Sequence, residues 1–492
     1  VAEHAGSLGP AAVDGRRGRG RLSLTLVVST AFVMDQLDGT IVANAAPGIA
    51  SALHVQATQI TVTMTAYIVS MAAVIPLSGW VADRYGPRQV FGLAVLIFTG
   101  ASGLCAVSNG LGMLVAMRVL QAVGGALMVP VGRLVVLGAT HQRDLITAIA
   151  WLTWPALIAP VLAPVIAGVF TTYLSWRWIF LANLPIGAAV LVWSLRVLPR
   201  SVARPVGSER PRLDWTGFAL GALCFGGLTY TASLLARQTI PALPVLLIGG
   251  IAVAAGATAI RHLRRSPHPL LALDVFRIRT FRLSHASGSV FRLTVLGLPV
   301  LLPLYFQVGL GWSPIKAGAV ILCTFIGNIA AKPVTTPLLR RFGFRRVLLV
   351  SVTVMAAGIA GCALVGPATP LFATVALLAA GGIARSVGFT VYNTIAFSDV
   401  PAEQRNRANT LSSTIQQLAL GMGVAVGSVA LRAGQALHHT VIPGSALTPY
   451  RVAFVLMGLL TATALIEAAH LPPDAGENIG GASRRRPARD RS

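Results

Sequence analysis

Acid is scarce in this chain of 492 residues. Fifteen Asp and Glu stand against 39 Lys and Arg, and charged residues of both signs make up only 11%. Lysine is almost absent, appearing only at Lys316 and Lys332, so the basic residues are nearly all arginine. So little charge beside 55% hydrophobic residues, with a mean hydropathy of +0.74, excludes a soluble globular protein. Cysteine is rare too. Cys105, Cys224, Cys323 and Cys362 each lie in an apolar run with no paired spacing, which supports neither a disulfide framework nor a zinc site. The sequence contains no P-loop, HExxH or GxSxG, so ATP-driven transport and the commoner hydrolases are disfavoured. No metal, cofactor or enzymatic role is expected.

Long apolar runs are what the chain does have. Fourteen of spanning length lie at about 22–52, 56–82, 89–108, 111–136, 144–172, 178–198, 215–236, 241–260, 282–308, 314–339, 344–365, 370–397, 406–432 and 450–470. The expected class is therefore an all-α, multi-pass membrane protein with 14 transmembrane helices. Of the 39 Lys and Arg, 29 fall in the tails and in the loops after even-numbered runs, against five in the opposite loops. Such a bias places both termini in the cytoplasm. It also assigns the net charge of +24 to topology and lipid headgroups, so no nucleic-acid partner is expected. Residues 1–21 carry Arg16, Arg17, Arg19 and Arg21 without an apolar core and read as a basic cytoplasmic tail; residues 471–492 read as a second one.

An internal repeat divides the remainder. The loop Gly79 to Val90, GWVADRYGPRQV, returns 257 positions later as TPLLRRFGFRRV, with Arg84/Arg341, Gly86/Gly343, Arg88/Arg345 and Val90/Val347 coinciding and Arg340 in the place of Asp83. Two related six-helix bundles, 22–200 and 266–470, are expected, separated by an inserted helix pair with flanking loop at 201–265.

Four motifs in order carry a resemblance to a known family. The loop GxxADRxGxR, the run LDGTIVANAAP (Leu37 to Pro47), RVLQAVGGALMVP (Arg118 to Pro130) and WRWIFLANLPIG (Trp176 to Gly187) resemble the major facilitator superfamily, specifically its fourteen-helix EmrB/QacA branch of drug:proton antiporters. VPVGRL and LDVFRIRTF look most like the MdtD-type members of that branch. The resemblance implies the major facilitator fold and proton-coupled secondary efflux of a drug or other small molecule by alternating access, in the bacterial inner membrane. Its implied partners are a small-molecule substrate, protons and the lipid bilayer, with a monomer as the expected state. It also implies that Gly79, Asp83, Arg84, Gly86 and Arg88, with Arg341, Gly343 and Arg345 in the repeat, form a conformational gate. The family's fifth-helix run departs here, reading IAPVLAPVIAG, with Pro160, Pro164 and Gly168 kept as helix-packing positions and alanines at 159, 163 and 167 where glycine is usual.

Charges within the apolar runs are the candidate site. Asp35 and Asp38 lie near the middle of the first helix, where an aspartate costs about 2.5 to 3.5 kcal/mol, so such residues usually face a bundle interior or a water-filled cavity. Both are candidates for proton coupling; Asp38, which matches the family motif, ranks first. Arg118, Arg292, Arg385 and Lys332 lie within other helices, and Gln121 follows Arg118 in its motif as a brace. These line the expected substrate cavity. Cations outnumber acids there, which points to an anionic or zwitterionic substrate held by arginine. An organic-anion symporter or facilitator is the alternative.

Overall fold

A computed structural model describes residues 10–140, 145–153, 155–198, 212–237, 241–440, 446–472 and 475. Among these the protein is helical, with no strand. The first half contains α1 (Pro10–Ala52), α2 (Ala57–Val74), α3 (Ser78–Tyr85), α4 (Pro87–Ala106), α5 (Leu111–Ala139), α6 (Leu145–Thr153), α7 (Pro155–Tyr173), α8 (Trp178–Leu181) and α9 (Asn183–Val197). Helices α10 (Trp215–Leu235) and α11 (Ala242–Arg265) follow. The second half contains α12 (Arg279–Leu304), α13 (Pro314–Ala330), α14 (Lys332–Phe342), α15 (Phe344–Gly361), α16 (Leu371–Ile395), α17 (Arg405–Thr440) and α18 (Thr448–Ala469).

Twelve helices are long and apolar enough to cross a bilayer, and the bent pair α13–α14 makes thirteen among the described residues. Fourteen are expected from sequence; the run at 144–172 is described as α6 and α7 on either side of residue 154, which lies outside the described residues. The chain is a multi-pass membrane protein. Helix α1 begins at Pro10, so helical backbone extends into the segment read as a tail.

The repeat has a physical basis in its prolines and glycines. A proline within a helix removes a backbone hydrogen bond and kinks it. Helix α2 gives way to a 3₁₀ turn at Ile75–Leu77, around Pro76, and α13 breaks just before Lys332 and Pro333 with a bend of 51°. Each following helix stops at a glycine in the left-handed region, Gly86 at φ +88° and Gly343 at φ +78°. A side chain there would be strained, and the next helix starts at once.

Buried apolar residues form two cores within the first half and one in the second, which Leu137 and Ile149 of the first half join. Glycines allow backbones to touch, as in other membrane helix pairs. A Cβ on Gly382 of α16 would lie 2.0 Å from the Thr324 carbonyl oxygen of α13, and one on Gly124 of α5 would lie 2.6 Å from the Phe98 nitrogen of α4. Helices α10 and α11 pack on each other, and α10 also lies against α2 and α17, one from each half. The inserted pair therefore sits along the seam between halves. Its start is capped by Asp214, which accepts from the Gly217 amide at 2.8 Å and lies 2.7 Å from His262.

Candidate functional site

In the first half, Arg118 of α5 donates to Asp38 of α1. Gln121, one turn further along α5, donates to the other Asp38 oxygen at 2.9 Å and accepts from Arg118 at 2.8 Å. Gln121 thus touches both members of the pair. Asn183, at the start of α9, also donates to Asp38 at 3.1 Å. Asp38 is therefore surrounded by N–H donors and is buried.

Asp35 has different company. It is three residues from Asp38, and its Oδ1 accepts the hydroxyl of Tyr67, on α2, at 2.7 Å. The Tyr67 ring lies 4.2 Å from the Arg118 guanidinium carbon, within cation–π range. One tyrosine thus touches both the unpaired acid and the paired arginine. The other polar stripe of α1 folds back on its own helix, the Thr40 hydroxyl donating to the Gln36 carbonyl at 2.8 Å.

The second half holds the remaining cations. Arg292 of α12 donates to the Asn393 side chain on α16 at 2.8 Å. Its other terminal nitrogen and the Arg385 Nε are buried with no hydrogen-bond partner among the described residues. The guanidinium carbons of Arg292 and Arg385 each lie 5.8 Å from the centre of the Phe389 ring, and Arg385 lies 5.9 Å from Phe325. Lys332, at the bend between α13 and α14, donates to the Thr390 hydroxyl at 3.1 Å. The expected cavity residues thus divide into two groups: Arg118 and Gln121 belong to the first half's network around Asp38, while Arg292, Arg385 and Lys332 line the α12–α13–α16 side.

The residues expected to form a gate are placed as follows. Asn406, at the start of α17, donates to Asp83 and also to the Gly79 carbonyl at 3.1 Å. A Cβ on Gly79 would lie 2.2 Å from the Thr410 hydroxyl, so the loop and α17 touch closely at that glycine. Arg84 and Arg88 do not join this crossing. Arg84 lies over its own loop's Trp80 and Tyr85 rings, and Arg88 donates to the Leu195 carbonyl in the first half. In the repeated loop Arg341 lies over Phe342, and Arg345 is half-buried at the start of α15. A second crossing runs from Arg133 to Gln416 at 3.3 Å, then to Ser412 and His285.

Of the packing positions expected in the fifth run, the side chain of neither proline, Pro160 or Pro164 of α7, is described, and Gly168 is exposed with open space where a Cβ would be. Ala159, Ala163 and Ala167 are the buried face. The small residues that face the neighbouring helices are therefore these alanines, one turn apart, and Gly168 points away from them.

Sequence reasoning missed Tyr67, Asn183, Phe389, Asn393 and Asn406. Asn183 stood inside the quoted WRWIFLANLPIG motif, an amide within an apolar run, and that signal was available. Phe389 and Asn393 follow Arg385 at four and eight residues, one face of a helix.

A family model described as Major Facilitator Superfamily matches residues 28–277 and 285–490. The chain belongs to the major facilitator superfamily. Among its relatives, the MdtD protein of Cronobacter sakazakii is 33% identical over 474 residues, covering 94% of this chain and 97% of the relative. MdtD of Escherichia coli is 32% identical with the same coverage; the names of both refer to multidrug resistance. Among solved structures, the human organic anion transporter MFSD10 has a TM-score of 0.63 at 14% identity, covering 91% of this chain and 99% of that one. The proton:xylose symporter XylE has a TM-score of 0.61 at 15% identity, covering 94% and 98%. These two share the fold. Together the comparisons place the chain among the transporters of the major facilitator superfamily.

Proposed function

We propose that this major facilitator is a proton-coupled exporter of the bacterial inner membrane, with fourteen spans, both termini cytoplasmic and alternating access between its two halves. The single observation that carries the substrate reading is the pair of guanidiniums, Arg292 and Arg385, sharing the Phe389 ring with no carboxylate paired to either among the described residues. An uncompensated charge in the interior costs several kcal/mol, and an anionic group from a ligand recovers it. Arginine offers a planar fork for a carboxylate, and the phenylalanine offers a face for an apolar body. The substrate is accordingly an organic molecule with an anionic group, either an anion or a zwitterion.

The two acids divide the proton work. Among the described residues Asp38 meets N–H donors, including a guanidinium, and these suit the carboxylate form, so it serves as the fixed partner of Arg118. Asp35 meets a hydroxyl, which donates to a carboxylate and, after rotating, accepts from a carboxylic acid. The same contact serves both protonation states. Sequence ranks Asp38 first for proton exchange; the hydrogen bonding favours Asp35.

Counterflow in proteoliposomes with a panel of aromatic carboxylates and cationic dyes tests the reading. Carboxylate-bearing compounds are expected to exchange, at least tenfold more slowly in R292Q and R385Q, and addition of those that are transported is expected to drive protons in the opposite direction to substrate. Dye exchange indifferent to carboxylates and to both substitutions would overturn the anionic site. Proton movement in the same direction as substrate would establish the symporter alternative.

A further inference from the structure

The 257-residue repeat continues from the loops into the membrane, and there it inverts a charge. Asp35 corresponds to Arg292, Tyr67 to Thr324, Gly125 to Gly382 and Pro76 to Pro333. Contacts respect this register. A Cβ on Gly125 would meet Asp35 Oδ1 at 2.8 Å and the Tyr67 hydroxyl at 3.0 Å, and one on Gly382 would meet the backbone of Thr324. Both second helices of the repeat break at the matched proline. The two halves of this fold are parallel repeats about an axis along the membrane normal, so matched positions lie at the same depth on opposite sides of the cavity.

Asp35 and Arg292 thus form opposed poles, and neither is paired with an opposite charge among the described residues. The Arg118 charge is held by Asp38, which leaves Asp35 with the neutral Tyr67 hydroxyl. Arg292 has the neutral Asn393 amide, and one of its terminal nitrogens has no partner among the described residues. When Asp35 is ionised, a simple anion on Arg292 and Arg385 would face a second negative charge across the cavity, and when Asp35 is protonated the anion gains nothing from it. A simple cation at Asp35 would face two guanidiniums. Like charges placed opposite one another reject a ligand as effectively as opposite charges attract the right one.

We infer that the transported molecule is an apolar-bodied zwitterion, its anionic group on Arg292 and Arg385 and its ammonium on Asp35, with Phe389 beneath the body. This rests on the anion-recognising site proposed above and adds the second pole. It also supplies the coupling step: an ammonium binds the carboxylate form of Asp35, so its arrival releases to the cavity water the proton that Asp35 carried.

The test uses purified full-length protein in nanodiscs, with phenyl-substituted amino acids whose ammonium and carboxylate are separated by one, three or five carbons. Each is compared with the matched acid lacking the amine and the matched amine lacking the acid, by competition binding and by proton release in weak buffer. At one spacing, the zwitterion is expected to bind about tenfold or more tighter than either matched compound and to release a proton that the acid does not, tenfold being the effect of one modest charged contact. D35N is expected to abolish both the advantage over the acid and the proton release, and R292Q the advantage over the amine. Acids and zwitterions that bind equally at every spacing, or a zwitterion advantage that survives D35N, would overturn the inference while leaving the anionic site standing. Binding of the amines alone would overturn both.

Discussion

Arg118 and Asp38 form an ion pair from which water is almost excluded, their side chains being 1% and 0% exposed. Removing one member of such a pair strands the other as a buried charge, at a cost of about 3 to 5 kcal/mol, whereas removing both costs less. D38N and R118Q are each expected to lower the thermal unfolding midpoint strongly in detergent, and D38N/R118Q to recover part of the loss. A double-mutant cycle measures the coupling. Singles that unfold like the parent, or a double mutant whose loss is the plain sum, would show that the pair does not act as a unit.

The crossing between the Gly79 loop and α17 allows a sharper experiment. In G79A the new methyl would lie 2.2 Å from the Thr410 hydroxyl but 3.1 Å from its Cβ, so the hydroxyl is the main obstacle. G79A is expected to separate the halves at this face and slow transport about tenfold, the order produced by a loss of about 1.4 kcal/mol in contact energy. T410A in the same chain removes the hydroxyl and is expected to restore most of the rate. Transport rates in proteoliposomes decide it; a double mutant as slow as G79A would mean that this contact is not the cause.

What the sequence revealed depended on whether a residue's meaning is local. Helices, the loop repeat and the costly charges at Asp35, Asp38, Arg118, Arg292 and Arg385 were legible because hydropathy, spacing and the cost of burial are properties of a single segment. Their partners were not. That Asp38 meets Arg118, and Asp35 meets Tyr67, follows from how α1, α2 and α5 cross, and no period in one helix encodes that crossing. The same holds for Arg84, whose motif suggested a contact across the gate although the side chain lies on its neighbouring rings. The spanning count stands differently: the apolar run at 144–172 contains residue 154, which lies outside the described residues, so twelve to thirteen spans are counted among those described.

Two adjacent glycines on α16 separate packing from mere smallness. A Cβ on Gly382 would collide with a backbone oxygen at 2.0 Å, which no rotamer relieves, whereas one on Gly381 would meet nothing within 4 Å. G382A is expected to destabilise by about 1 to 3 kcal/mol, the usual cost of overpacking, and G381A to be neutral or slightly stabilising. Thermal unfolding of the two variants side by side tests this, and equal midpoints would contradict the close approach of α13 and α16.

Asn328 sets stability against function. It is fully buried on α13, one turn before Lys332, and neither its amide oxygen nor its amide nitrogen has a hydrogen-bond partner among the described residues. On α16, Ser386 stands one turn before Thr390, the hydroxyl that accepts from Lys332, and its own oxygen is also unsatisfied. An unsatisfied buried amide costs about 1 to 3 kcal/mol, so a natural sequence that keeps one does so for a reason other than stability. The matched position of the first half, Met71, is apolar, which shows that this place in the fold accepts a side chain of that kind. N328L, which keeps the number and branching of side-chain heavy atoms, is therefore expected to raise the unfolding midpoint and to lower transport. If N328L were less stable than the parent, the amide would have a partner that holds the fold; if it were more stable and fully active, the amide would have no part in carrying substrate past the bend at Lys332.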